Sequence, residues 1–273
     1  MTLSTAECED ELETLEAERE TVRAEIDRLE AALPMRRRKR SNLEGIASLF
    51  DPPAEDVVAT AKAVGTAARE AVVFLQAGQG IATAWYIDDH HLVTNAHNVF
   101  DFVSGETRES TVWTLGGEEH AASVVGINES LRPDVAVLRT EAAAPAALPP
   151  GTTPPGDSRE PLVQVGHPGG IGNWMITLGN LRSIGQYGRE SDEPYFELET
   201  DVPGRQGVSG SPLLNFDGEV VGLTYAGSPV QSKQADEQPI VADPLVYDRP
   251  IASLSYGFHV AIDDVMGYYE EWT

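Results

Sequence analysis

From about residue 71 to residue 262 the chain is a succession of short runs rich in β-branched and aromatic residues: AVVFLQA, GIATAWYI, HLVTNA, TVWTL, AASVVGI, DVAVLRT, LVQVGHP, WMITLGNLRSIG, YFELET, SPLLNF, EVVGLTYA and SYGFHVAI. Between them stand Gly, Pro, Asn and Asp, the residues that close turns. Runs this short, bounded this way, read as strands. So many of them, with no long helical pattern interposed, exclude helix bundles and repeated βαβ units. They predict an all-β barrel or a pair of barrels.

Upstream the period changes. Ser4 and Glu7 have the spacing of a capping box, and Leu12, Leu15, Val22, Ile26, Leu29 and Leu33 step by threes and fours, with Arg19 where the stripe breaks. This is a heptad seam, with Cys8 in its register. Pro34 ends it, and MRRRKR follows, where a helix C-terminus favours cations. The chain therefore divides into an N-terminal helix or coiled coil over 1–34, a linker with a basic run over 35–54, and a domain over 55–273 that a helix in AEDVVATAKAVGTAARE opens. So short a seam leaves two readings open: a coiled coil making the chain a homo-oligomer through residues 4–33, or a helix lying on the main domain.

Charge narrows the partners. Asp and Glu number 44 against 19 Lys and Arg, a formal net charge of −25 spread along the whole length. Such a surface repels phosphate, so no nucleic acid is expected as a partner. It suits a protein from a halophilic source, whose self-repulsion salt screens within about 3 Å at 1 M. The melting temperature is accordingly expected to climb from dilute buffer to molar KCl. A flat or falling trend would point instead to a cationic partner.

The single cysteine excludes an intrachain disulfide framework, and no CxxC or HExxH spacing supplies a metal site. The start, MTLSTAECEDELE, is acidic where a signal peptide would be basic and then apolar, and no window approaches eighteen apolar residues. The expected compartment is the cytoplasm, without a membrane partner.

Chemistry concentrates in GRQGVSGSP, Gly204 to Pro212, where three glycines surround Ser209. A nucleophilic serine needs a base, an acid that orients the base, and backbone N–H groups aimed at the developing oxyanion. Gly207 frees the loop to present its own N–H and that of Ser209 to one point. His97, at the end of the strand-like run HLVTNAHNV, is the best base, and Asp134 in RPDVAVLRT the acid. His90 and His91 read as a solvated hairpin tip, and His167 as a turn residue.

In company and in order, LVTNAHNV, PDVAVLR, LVQVGHPGGIG, FELETDVPGRQGVSGSPLLNFDGEVVGL and YGFHVAIDDV make the chain resemble the trypsin-like serine peptidases of the high-temperature-requirement (HtrA/DegP) branch, from about Ala71 to Val265. The resemblance implies a double β-barrel with the catalytic cleft between the barrels. It implies His97 as general base and acid, Asp134 as its orienting carboxylate, Ser209 as nucleophile, and the N–H groups of Gly207 and Ser209 as the oxyanion hole. It implies a serine endopeptidase acting on proteins or peptides through an acyl-enzyme, without cofactor or metal.

Departures from the family's pattern qualify this. Ser211 stands where a second glycine usually follows the serine. The chain stops at Thr273, so no PDZ module is expected. A Pro-rich connection between Gly227 and Ser253 is unusually long. The floor of the specificity pocket holds Pro203, beside Tyr225 and Ala226, rather than an aspartate. A buried Lys or Arg would lack a counter-charge there, so cleavage is expected after Val, Ala or Leu. Two other readings fit the same residues: a non-proteolytic binding module on this fold, and an acyl hydrolase such as an esterase.

Overall fold

The computed structural model describes residues 53–156, 158–170, 172–187, 194–202, 204, 206–228, 245–246 and 256–273. The heptad seam, Cys8, the basic run, Pro203 and most of the Gly227–Ser253 connection lie outside the described residues. Residues 53–273 form one compact unit. It opens with helix α1, Glu55–Ala68, whose first turn carries Glu55 and Asp56 where the helix dipole favours anions.

The first barrel is built from β1 (Val72–Ala77), β2 (Gly80–Tyr86), β3 (His91–Thr94), β6 (Ser110–Trp113), β7 (Glu119–Ile127) and β8 (Ala136–Thr140), closed in the order β1-β2-β3-β8-β7-β6. Between β3 and β6 lie a one-turn helix α2 (Ala96–Val99) and a two-stranded ribbon, β4 (Phe100–Asp101) and β5 (Glu106–Thr107). The second barrel uses β9 (Pro161–Gly166), β10 (Met175–Tyr187), β11 (Tyr195–Thr200), β12 (Pro212–Leu214), β13 (Val220–Ser228) and β15 (Tyr256–Ala261). Their order is β11-β15-β13-β12-β9-β10. The β10–β11 pairing closes it, and β14 (Leu245–Val246) adds to β10 in parallel. Helix α3, Ile262–Trp272, ends the chain.

The near-continuous apolar character of the strands follows from the period of two. Val73 and Leu75 of β1, Ala84 of β2 and Leu92 of β3 fill the first barrel; Leu162, Leu198, Leu213 and Val221 fill the second. Their sequence neighbours Val72, Trp85, Val93, Val163 and Leu214 point the other way, into a third cluster that spans both barrels. Both faces of these strands are thus buried, which removes the polar alternation of a sheet with one wet face.

The helices complete that shared core. Gly65 of α1 lies so close to β10 that a methyl group there would sit 2.4 Å from Ile176 Cγ2. α3 follows the second barrel yet packs on the first: the Trp272 ring covers Gly126 of β7, the Asn128 side-chain amide donates to the Tyr268 hydroxyl, and the Tyr269 hydroxyl donates to Asp88 Oδ2 at 2.6 Å. Asp88 also accepts from the backbone N–H groups of His90 and His91, and its Oδ2 pairs with His91 Nδ1 at 2.8 Å. The β2–β3 connection is therefore partly buried rather than a solvated tip, because a distant helix is tied to it. Among the described residues no helix is long and apolar enough to cross a membrane.

Inside the second barrel one hydrogen-bonded chain interrupts the apolar packing. Gln164 Nε2 donates to Thr224 Oγ1 at 2.8 Å, which meets His259 Nδ1 at 2.9 Å, and His259 Nε2 meets Thr200 Oγ1 at 2.8 Å. His259 is wholly buried, and desolvation pulls its pKa down to about 3. The folded state therefore holds the neutral ring and binds fewer protons than the unfolded chain below the ordinary histidine pKa. Its stabilising contribution is complete above about pH 6.5 and is lost as pH falls from there toward 3, by about 2 kcal/mol at pH 5. Urea midpoints at pH 7 and pH 5 are expected to show that loss, and His259→Gln to shrink the difference. An equal pH dependence in the variant would remove His259 as its source.

Candidate active site

The residues of interest lie where the two barrels face each other. Strand β3 ends at Thr94, and α2 turns the chain so that His97 projects from it with its side chain 37 % exposed. Asp134 precedes β8, the direct neighbour of β3, so two residues 37 positions apart are brought together by the ladder. Asp134 Oδ2 lies 2.5 Å from His97 Nδ1, Oδ1 accepts the His97 backbone N–H at 3.1 Å, and the Asp134 carbonyl accepts from Asn95 Nδ2 at 2.8 Å. The Asp134 side chain is 9 % exposed. With Nδ1–H donated to Asp134, Nε2 is left as the basic nitrogen. From the other side, Arg108 Nη1 donates to the carbonyls of His97 and Asn98 at 3.2 and 3.3 Å and secures the end of this short helix.

The serine loop is gripped by the opposite barrel. Thr83 of β2 donates its hydroxyl to the Gly207 carbonyl at 2.9 Å and its backbone N–H to the Ser209 carbonyl at 2.9 Å. The Thr83 carbonyl accepts from Thr94 Oγ1 at 2.8 Å, which couples the loop to the strand that carries His97. Gly207 and Gly210 have φ of +92° and +86°. A methyl on Gly210 would stand 1.9 Å from the Thr83 carbonyl oxygen, so the close approach of the barrels requires a glycine there. Among the described residues no backbone carbonyl takes up the N–H of Gly207 or Ser209. A turn with its carbonyls bound behind it and its amides unspent can receive a negative oxygen. The Ser209 hydroxyl, in this structure, donates to the Tyr225 carbonyl at 3.5 Å.

His167 differs from its expected setting. It is 0 % exposed, lies edge-on to Phe74 and Trp174, and carries a pKa lowered to about 3 by burial. Its backbone N–H donates to Thr83 Oγ1, and its carbonyl oxygen would lie 2.2 Å from a methyl on Gly207. It is thus a wall behind the serine loop rather than an open turn. Ser211 takes the place of a glycine because Gly166 opposite it has no side chain: a methyl on Gly166 would fall 2.1 Å from Ser211 Oγ.

Of the residues assigned to the specificity pocket, Pro203 lies outside the described residues. Ala226 pairs with Phe258 on the β13–β15 ladder, and the Tyr225 hydroxyl is directed to Glu197 of β11. Nearby, the backbones of Gly204 and Gly227 touch, for a methyl on Gly204 would sit 2.2 Å from Gly227 Cα. Asp201 accepts the backbone N–H of Asn180 and pairs with Arg182 Nη2 at 2.8 Å, pinning β10 where its register slips between Leu181 and Ser183. Among the described residues no group of three or more His, Cys, Asp or Glu is arranged to hold a metal ion.

Thr83, Arg108 and Glu197 were not legible as parts of this site. For Thr83 and Glu197 the one hint was a hydroxyl or a charge inside an otherwise β-type run, which by itself does not say what it faces; Arg108 lies between such runs.

Residues 82–223 match the trypsin-like peptidase domain. The chain is 34 % identical over 158 residues to the "Putative serine protease HhoA" of Synechocystis sp., covering 55 % of this chain and 37 % of that protein. It is 31 % identical over 138 residues to the "Probable periplasmic serine endoprotease DegP-like" of Halomonas elongata, covering 50 % of this chain and 27 % of that one. The matched segment thus spans about a third of the length of these curated relatives. Among solved structures, the active form of the Rv3671c protease from M. tuberculosis superposes with a TM-score of 0.60 at 24 % identity, over 81 % of this chain and 88 % of that one. That likeness bears on the fold.

Proposed function

Since the chain belongs to the trypsin-like peptidase domain family, we propose that it is a serine endopeptidase working through Ser209, His97 and Asp134. The observation that carries this reading is the His97–Asp134 pair, with Nδ1 bound and Nε2 left basic, beside strand β3, whose Thr94 is tied to Thr83 of β2, the residue that holds the serine loop. In this mechanism the Ser209 hydroxyl leaves the Tyr225 carbonyl and gives its proton to His97 Nε2 as Oγ attacks the scissile carbonyl carbon. The buried Asp134 carboxylate stabilises the imidazolium that forms. The N–H groups of Gly207 and Ser209 receive the oxyanion. The imidazolium then protonates the leaving amine, and a water activated by the same nitrogen hydrolyses the acyl-enzyme.

Labelling with a fluorophosphonate tests the nucleophile, and digestion of casein separates a peptidase from an esterase. An unlabelled Ser209 in folded protein would favour the binding-module reading; labelling without casein cleavage would favour the esterase. We further propose cleavage after small or medium aliphatic residues. Mass-spectrometric mapping of cuts in an unfolded protein is expected to show few after Lys or Arg, and a majority there would overturn it. Association through residues 4–33 is proposed on the heptad seam alone, and sedimentation of the full chain against a chain lacking residues 1–40 at molar salt decides it.

A further inference from the structure

Strand β13 slips in register against β15 between Thr224 and Ala226, so Tyr225 is the extra residue of a bulge. A bulge re-aims the residue it inserts. Here it turns the Tyr225 carbonyl to the Ser209 hydroxyl and the Tyr225 phenol to Glu197 Oε2, to which it donates. Glu197 is 6 % exposed, and burial holds its carboxyl above the usual range, against the phenol's hydrogen bond. It shares its face of β11 with Tyr195, whose phenol is pushed up by burial and then by the charge of Glu197. A carboxyl so placed is costly to bury and packs nothing that Leu or Gln would not pack. Its partner is the residue that meets the serine.

We propose that Tyr225 and Glu197 are a positioning pair for Ser209: their side-chain hydrogen bond holds the β13 bulge so that the Tyr225 carbonyl receives the serine hydroxyl. The inference rests on the reading of Ser209 as nucleophile. The residue before the bulge is joined to the serine loop twice, since the Gly210 N–H donates to the Thr224 carbonyl at 2.8 Å and the Thr224 N–H to the Ser211 carbonyl at 3.0 Å. A bulge released from Glu197 therefore loosens the loop beneath the nucleophile, while the barrel strands on either side keep their ladders.

Two readouts test the pair in the full chain. The first is the second-order rate of fluorophosphonate labelling, in which Ser209 Oγ bonds to phosphorus, fluoride leaves and the serine proton passes to His97. Tyr225→Phe and Glu197→Leu are each expected to slow it about tenfold, because each strands one buried partner. Glu197→Gln, which keeps an acceptor for the phenol, is expected to stay within about threefold of the parent, and the double variant Tyr225→Phe/Glu197→Leu to be no slower than the slower single. The second readout is amide hydrogen exchange at Gly210 and Thr224, expected to quicken in Tyr225→Phe and Glu197→Leu and not in Glu197→Gln. Parent-rate labelling by folded Tyr225→Phe, unchanged exchange in it, or additive losses in the double variant would each overturn the proposal. If the parent itself is not labelled, the nucleophile reading falls and the pair's role toward it falls too; exchange then still tells whether the pair holds the bulge.

Discussion

Replacing Ser209 by alanine is expected to cut hydrolysis by a factor on the order of 10⁴ or more, and His97→Ala by as much, because the members of such a triad act as a unit. Without the hydroxyl there is no acyl acceptor. Without the imidazole the hydroxyl remains a poor nucleophile at neutral pH. Asp134→Asn is expected to be nearly as damaging: Asp134 meets His97 at both the backbone N–H and Nδ1, and an amide can turn its NH₂ toward Nδ1 and favour the wrong tautomer. The decisive measurement is casein hydrolysis by each variant purified free of host proteases. Parent activity in Ser209→Ala would show that the nucleophile is another residue. Since the Ser209 side chain is only partly buried and its hydroxyl makes one long hydrogen bond, the melting temperature of Ser209→Ala is expected to stay close to that of the parent.

Gly207→Ala is expected to lower kcat by about a hundred- to a thousandfold, the range associated with losing one oxyanion donor. The residue sits at φ +92°, and a methyl there would stand 2.2 Å from the His167 carbonyl oxygen and 3.0 Å from the Gly170 nitrogen. Both are backbone atoms, and the first is fixed in place because the His167 ring is wedged between Phe74 and Trp174. The loop must therefore move, taking the Gly207 and Ser209 amides with it. Gly218→Ala is the control: it has φ +83° but open space around the position, so it carries the same conformational cost, about 1–2 kcal/mol, without a collision. Stability is expected to fall in both variants and kcat in Gly207→Ala alone. Full activity in folded Gly207→Ala would remove the turn from the mechanism.

What the sequence determined by itself is whatever depends on near neighbours in the chain. The strands were legible because a run such as GIATAWY or YFELET carries its own β preference and its own turn residues at the ends. A barrel or a pair of barrels followed from the number and spacing of such runs, and the resemblance implied the pair. His97, Asp134 and Ser209 were each marked by a short motif, and their company in one order carried the resemblance that named their roles. Helix α3 was passed over because SYGFHVAI reads as a strand that runs on to Ile262, whereas the helix begins there and draws its stability from seating Trp272 and Tyr269 on the first barrel. His167 and the His90–His91 turn were placed too near solvent for the same reason. What buries them comes from strands and a helix up to 181 positions away. Only the tertiary structure decided that Thr83 would grip a loop 124 residues downstream, and that Glu197 would lie under the Tyr225 bulge. Barrel closure sets those distances, and a side chain's own neighbours in the sequence carry no information about which distant strand the closure will bring against it.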